Sequence, residues 1–106
     1  MINVDPPTGN FPASGGRSTH NIVSESDSRL AFKLLTNDHY LFIDSAYGFI
    51  EAKGTASLDI YCISGPARED VFVIQFAEVS ADETDPTAPF KAEAQQGEVT
   101  VNYTAA

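Results

Sequence analysis

The chain has 106 residues, enough for one domain around one core, and it is 42% hydrophobic and 20% charged, ordinary for a globular protein. Fifteen acidic residues against six basic ones give a formal charge of -9, a surface that repels phosphate backbones and anionic headgroups and so argues against nucleic-acid or membrane-surface binding. No apolar run is long enough to insert across a bilayer, the N-terminus Met1-Ile2-Asn3-Val4-Asp5 lacks the features of a signal peptide, and a single cysteine closes no internal disulfide, so a reducing, cytoplasmic setting is expected.

Residues 2–16 carry two pairs of turn formers, Pro6-Pro7 and Gly15-Gly16, around Asn10-Phe11-Pro12-Ala13. Proline cannot donate to a ladder, so this segment reads as a sheet edge with Phe11 turned inward. Ser18 to Glu25 reads as a strand with Ile22 buried, and the polar run Ser24-Glu25-Ser26-Asp27-Ser28 as a turn. In the next strand, Arg29 to Leu35, Leu30, Phe32 and Leu34 share one face while Ala31, Lys33 and Leu35 share the other. Asn37-Asp38 turns the chain into His39-Tyr40-Leu41-Phe42-Ile43, which is apolar on both faces and ends at Asp44-Ser45. Tyr47-Gly48-Phe49-Ile50 follows, and Lys53-Gly54 leads into a strand over 56–63.

The two stretches richest in β-branched and aromatic residues are Ser57–Ile63 and Val71–Ala77, separated by Gly65-Pro66. They read as partner strands of an antiparallel sheet. Phe72, Ile74 and Phe76 fall on one side of the second stretch, and such a stripe needs another layer to cover it, hence a second sheet. Residues 78–96 show no clear period, no helix is expected among them, and a connection that long is often functional or mobile. Gly97 to Tyr103 reads as a last strand. The pattern adds up to an all-β sandwich of about seven antiparallel strands in a single domain over 1–106.

Several motifs together resemble the major sperm protein (MSP) domain family. They are Phe11-Pro12-Ala13-Ser14-Gly15-Gly16, Ser18-Thr19-His20-Asn21, Arg29-Leu30-Ala31-Phe32-Lys33, Tyr47-Gly48-Phe49-Ile50, Ser64-Gly65-Pro66, Gln75-Phe76-Ala77-Glu78-Val79, Ala88-Pro89-Phe90-Lys91-Ala92 and Gly97-Glu98-Val99-Thr100-Val101. The likeness spans nearly the whole chain and is closest to the short sperm-specific members of nematodes. It implies an immunoglobulin-like β-sandwich with no cofactor and no catalytic site, acting through a protein partner or self-association. Its roles would be sperm-cytoskeletal or signalling, or the binding of acidic peptides through a basic face.

The chain departs from the family where relatives carry basic residues and it has Leu35, Leu41, Ile43 and Val71. An apolar interaction face built from Leu35, Leu41, Ile43, Tyr61 and Val71 is therefore expected in place of a basic one. A change so uneven and directional fits a diverged paralogue or a scaffold whose strand face was engineered for binding or dimerisation.

For chemistry, Cys62 with His39 is the pair available for a Cys–His hydrolase, with Asp38, Asp44 or Asp59 to orient the histidine. The plainer reading makes Cys62 a small buried hydrophobe and His20 a structural residue. Two histidines and one cysteine lack zinc spacing, and Asp82-Glu83-Asp85 lacks the glycine and spacing of a calcium loop, so no metal is expected. Tyr40, Phe42, Tyr47 and Phe49 alternate like a base-stacking platform but lack a basic groove, and most are expected in the core.

Overall fold

The computed structural model describes residues 1–43 and 45–106. Its elements are β1 (Ile2–Asp5), β2 (Thr8–Phe11), β3 (Gly16–Ser24), β4 (Leu30–Thr36), β5 (Leu41–Ile43), β6 (Tyr47–Ile50), β7 (Thr55–Cys62), β8 (Arg68–Glu78), α1 (Ala88–Lys91) and β9 (Gly97–Ala105). They form an immunoglobulin-like sandwich of a four-stranded sheet, β1-β3-β7-β5, facing a five-stranded one, β2-β9-β8-β4-β6. The described residues hold nine strands rather than about seven, chiefly because the N-terminal edge segment splits in two.

That split follows from Pro6-Pro7. Neither residue can donate to a ladder, so β1 ends there after pairing with β3, and the chain crosses to the opposite sheet. There β2 runs parallel to β9, from Thr8 opposite Asn102 to Phe11 opposite Ala105, an exception to the expected all-antiparallel pairing. Phe11 does turn inward; it is buried with its ring edge-on to Tyr103, centroids 5.5 Å apart. His20 secures the crossing. Its Nδ1–H donates to the Pro6 carbonyl at 2.8 Å, since a carbonyl only accepts, and Nε2 meets the Ser18 hydroxyl at 2.7 Å.

The stretches expected to pair with each other, now β7 and β8, lie in opposite sheets. β7 pairs with β3 and β5, while β8 pairs with β4 and β9. The Gly65-Pro66 break carries the chain from one layer to the other. The stripe does find its cover: Phe72 and Ile74 on β8 face Leu58 and Ile60 on β7 within one core, with Ile22, Leu30 and Val101 around them. Complete burial of each such side chain contributes about 1.5–3 kcal/mol. Residues 79–96 include the short helix α1, which the aperiodic sequence did not announce. Arg29 ties this connection down, donating from Nη1 to the Glu83 carbonyl at 2.7 Å and from Nε to Glu51 at 2.9 Å while stacking on Phe49.

One polar cluster closes an end of the sandwich. Asp38, in the turn after β4, is 8% exposed, and its Oδ2 accepts from Arg68 Nε at 2.9 Å, from Arg68 Nη2 at 2.8 Å and from the Tyr103 hydroxyl. Its Oδ1 accepts the Tyr40 N–H at 2.9 Å. Arg68 also donates to the Pro66 carbonyl at 3.0 Å and reaches Cys62 Sγ at 3.2 Å. The ends of β4, β7 and β9 and the start of β8 thus meet on one guanidinium–carboxylate pair.

Burial by itself would raise the Asp38 carboxyl, but the hydrogen bonds from Tyr103, Arg68 and the Tyr40 N–H, with the Arg68 charge, outweigh it and hold the group below its ordinary value. A depressed folded-state value contributes stability above the unfolded value, near 4, and that contribution disappears as pH falls through the folded one. Urea unfolding should therefore show wild-type stability dropping on acidification below about pH 4, with a flatter profile in Asp38→Asn. At neutral pH Arg68→Met should cost about 3 kcal/mol by stranding the buried carboxylate. An Arg68→Met protein as stable as wild type would refute the clamp.

Candidate interaction surfaces

The chemical candidates are not assembled for catalysis. Cys62, the last residue of β7, is 4% exposed, and its sulfur lies beside the Arg68 guanidinium rather than a base. His39 stands exposed in the turn before β5, and among the described residues no hydrogen bond joins it to Cys62. Of its suggested orienting partners, Asp38 is committed to Arg68 and Tyr103, Asp59 accepts the Thr19 hydroxyl at 2.7 Å, and Asp44 lies outside the described residues. A hydrolase lacks its nucleophile–base contact here. Among the described residues no group of three or more His, Cys, Asp or Glu is placed to hold a metal ion. In the acidic loop, Asp82 accepts the Ser80 hydroxyl at 2.7 Å and Asp85 accepts the Thr87 N–H at 2.9 Å, so these carboxylates shape their own turns.

The aromatic quartet also separates. Tyr40 lies under Arg68, Phe42 stacks on Tyr61, Tyr47 meets Phe90 and Phe49 lies under Arg29. Contrary to expectation none of the four is fully buried: Phe42 is exposed and the other three are half-buried.

The expected interaction face divides three ways. Leu35 and Val71 lie on the outer face of the five-stranded sheet, where Leu35 is paired with Val73 and Val71 with Asn102. Tyr61 lies on the outer face of the other sheet. Leu41 and Ile43 belong to neither: Leu41 is 7% exposed within the core and Ile43 packs against it. This corrects their expected solvent-side placement. β5 pairs Leu41 with Cys62 and Ile43 with Ile60, both core residues, so alternation sends only Phe42 outward. Burial accounts for the apolar residues at 41 and 43, which removes the main support for a redesigned strand face.

Two shallow grooves mark the outer face of the five-stranded sheet. One, of about 470 Å³, runs between Thr8 and Asn10 of β2, Asn102 and Thr104 of β9, and Glu69 and Val71 of β8. The second, of about 230 Å³, is lined by Leu35, Thr36, Val71, Val73, Gln75 and Glu98, among others. Val71, 36% exposed, forms the wall between them. No lysine or arginine lines either groove, so the apolar centre is rimmed by hydroxyls, amides and carboxylates. Val73 was not singled out in the sequence, although its two-residue offset from Val71 places it on the same face.

If Cys62 is closed off as its burial indicates, a disulfide reagent of the Ellman type should label the native protein slowly and titrate one thiol fully in guanidinium. Immediate labelling of the native chain would contradict the packing at the end of β7.

A family model for the MSP (Major sperm protein) domain matches residues 1–99. The chain is 64% identical to sperm-specific class P protein 34 of Caenorhabditis elegans, with 100% of both chains covered. Among solved structures it superposes on WR4, a C. elegans MSP family member, with a TM-score of 0.95 at 63% identity, covering 100% of this chain and 98% of that one. SSP-19, an MSP-domain protein like family member of the same nematode, gives 0.92 at 33% identity with 98% of each chain covered. This chain belongs to the major sperm protein domain family.

Proposed function

We propose that the chain is a non-enzymatic protein–protein interaction domain of the MSP type, acting in the cytoplasm of sperm in a cytoskeletal or signalling assembly. The observation that carries this is the outer face of the five-stranded sheet, where Val71 separates two open grooves and, with Leu35 and Val73, gives the second an apolar floor. An apolar centre with a polar rim is how protein-binding patches are built, and a strand face already paired on both sides presents it rigidly. The sperm setting rests on the names of relatives such as sperm-specific class P protein 34. Acidic ligands suit this face poorly, since Glu69 and Glu98 flank it and no cation lines the grooves.

Burying a charge at the centre of an apolar contact disfavours association without disturbing a core the side chain does not enter. Val71→Glu should therefore reduce capture of MSP-domain partners from nematode sperm lysate at least tenfold, while the thermal midpoint stays within a few degrees of wild type. Equal capture by the variant and wild type would count against this face.

A further inference from the structure

The most exposed large apolar side chains after Met1 are Phe42 and Ile63, each 50% exposed, and they lie at the β5 end of the four-stranded sheet, on the other side of the molecule from the grooves. Register places Arg17 of β3, Tyr61 of β7 and Phe42 of β5 in one row across that sheet's outer face. The two rings stack with centroids 5.4 Å apart and planes 21° apart. Ile63 follows Tyr61 by two residues and is anchored by its N–H to the Tyr40 carbonyl at 2.9 Å. The far end of the row is cationic. Arg29, Lys53, Arg68 and Lys91 each meet a carboxylate, and Lys33 lies over the Tyr47 ring. Among the described residues Arg17 alone of the lysines and arginines has no carboxylate, carbonyl or ring partner. Asp59, two residues before Tyr61 on β7, is engaged by the Thr19 hydroxyl at 2.7 Å.

Aromatic rings and arginine are the side chains that most often dominate binding energy at protein interfaces. Neighbouring strands lie about 4.8 Å apart, so Arg17 sits about 10 Å from Phe42 with Tyr61 between. A segment in polyproline II conformation rises about 3.1 Å per residue and returns to the same side every third one, which places two side chains three residues apart about 9 Å from each other.

We propose that the Phe42–Tyr61–Arg17 row is a docking site for an extended segment of a partner protein. The segment seats an apolar side chain against Phe42, Tyr61 and Ile63 and, three residues on, a carboxylate against Arg17. This rests on the reading of the chain as a protein-interaction domain and gives it a second surface. Charge selects the occupant. A second copy would bring a net charge of -9 against a net charge of -9. An anionic lipid surface is recognised by clusters of about four to eight cations, where this row offers one. A segment with one carboxylate matches the one unpaired guanidinium.

The test uses a fluorescein-labelled decapeptide centred on Phe-Pro-Pro-Glu, read by anisotropy and by backbone amide shifts of the 15N-labelled protein. Saturable binding is expected, with shifts clustered at residues 17, 42, 61 and 63. Arg17→Glu and Phe42→Ser should each weaken it at least tenfold at an unchanged thermal midpoint, and a Phe-Pro-Pro-Lys peptide should recover binding to Arg17→Glu. Val71→Glu should bind the peptide as wild type does. The proposal is overturned by absent binding, by affinity indifferent to both row variants, by shifts confined to the grooves of the five-stranded sheet, or by light scattering that shows Phe42→Ser dissolving a dimer. If the peptide fails while Val71→Glu still loses partner capture, this site falls and the interaction-domain reading stands; if Val71→Glu also has no effect, both fall.

Discussion

A single layer of side chains shared by two sheets governs the rest of this molecule. Phe72 sits within it, fully buried, with the His20 ring edge-on at 5.7 Å and the Tyr103 ring stacked at 6.1 Å. Each strand facing that layer must give alternate residues to it, and in a domain this small few side chains are left to build an enclosed site as well. Cys62, Leu41 and Ile43 are spent in this way, the cysteine as packing and the other two as the inner side of a short edge strand. What remains for recognition is the outer side of each sheet and the rims. The Asp38–Arg68–Tyr103 cluster closes one rim by joining strands of both layers through a buried charge pair, a link that is costly to leave half-made.

Much of the layer was legible in the residues. Leu30, Phe32 and Leu34 on β4, and Phe72, Ile74 and Phe76 on β8, recur at every second position, so their burial follows from a period of two, although Ala31 and Ala77 between and beside them are buried as well. Pairing was less legible than burial. β7 and β8 look like hairpin partners because both are strongly apolar, but hydrophobicity states only that a strand is covered, and Gly65-Pro66 fits a crossing between layers as well as a turn. The parity of β5 was hidden for a related reason. With Leu41, Phe42 and Ile43 all apolar, no polar residue marks the wet side, and only the pairing with β7 settles which one points out. The Asp38 cluster could not be read at all, since its members are separated by up to 65 residues and each looks like an ordinary surface residue in isolation.

The two outer faces differ in kind. That of the five-stranded sheet has an aliphatic centre between acidic and amide rims, a surface suited to a neutral or cationic contact. That of the four-stranded sheet is narrower and pairs exposed aromatic rings with an arginine. On a strongly acidic chain, the apolar strip lies on one side and, among the described residues, the one cation without a carboxylate, carbonyl or ring partner lies on the other. Membership of the MSP family gives this arrangement its context.

Hydrogen–deuterium exchange of the chain, compared in buffer and in nematode sperm lysate, tests the central claim most directly. The account predicts added protection confined to outward positions of the sheets, foremost the β8 segment around Val71 and Val73 and its neighbour Leu35, with core amides unchanged. Identical exchange in the two conditions would contradict a domain that works by protein–protein contact.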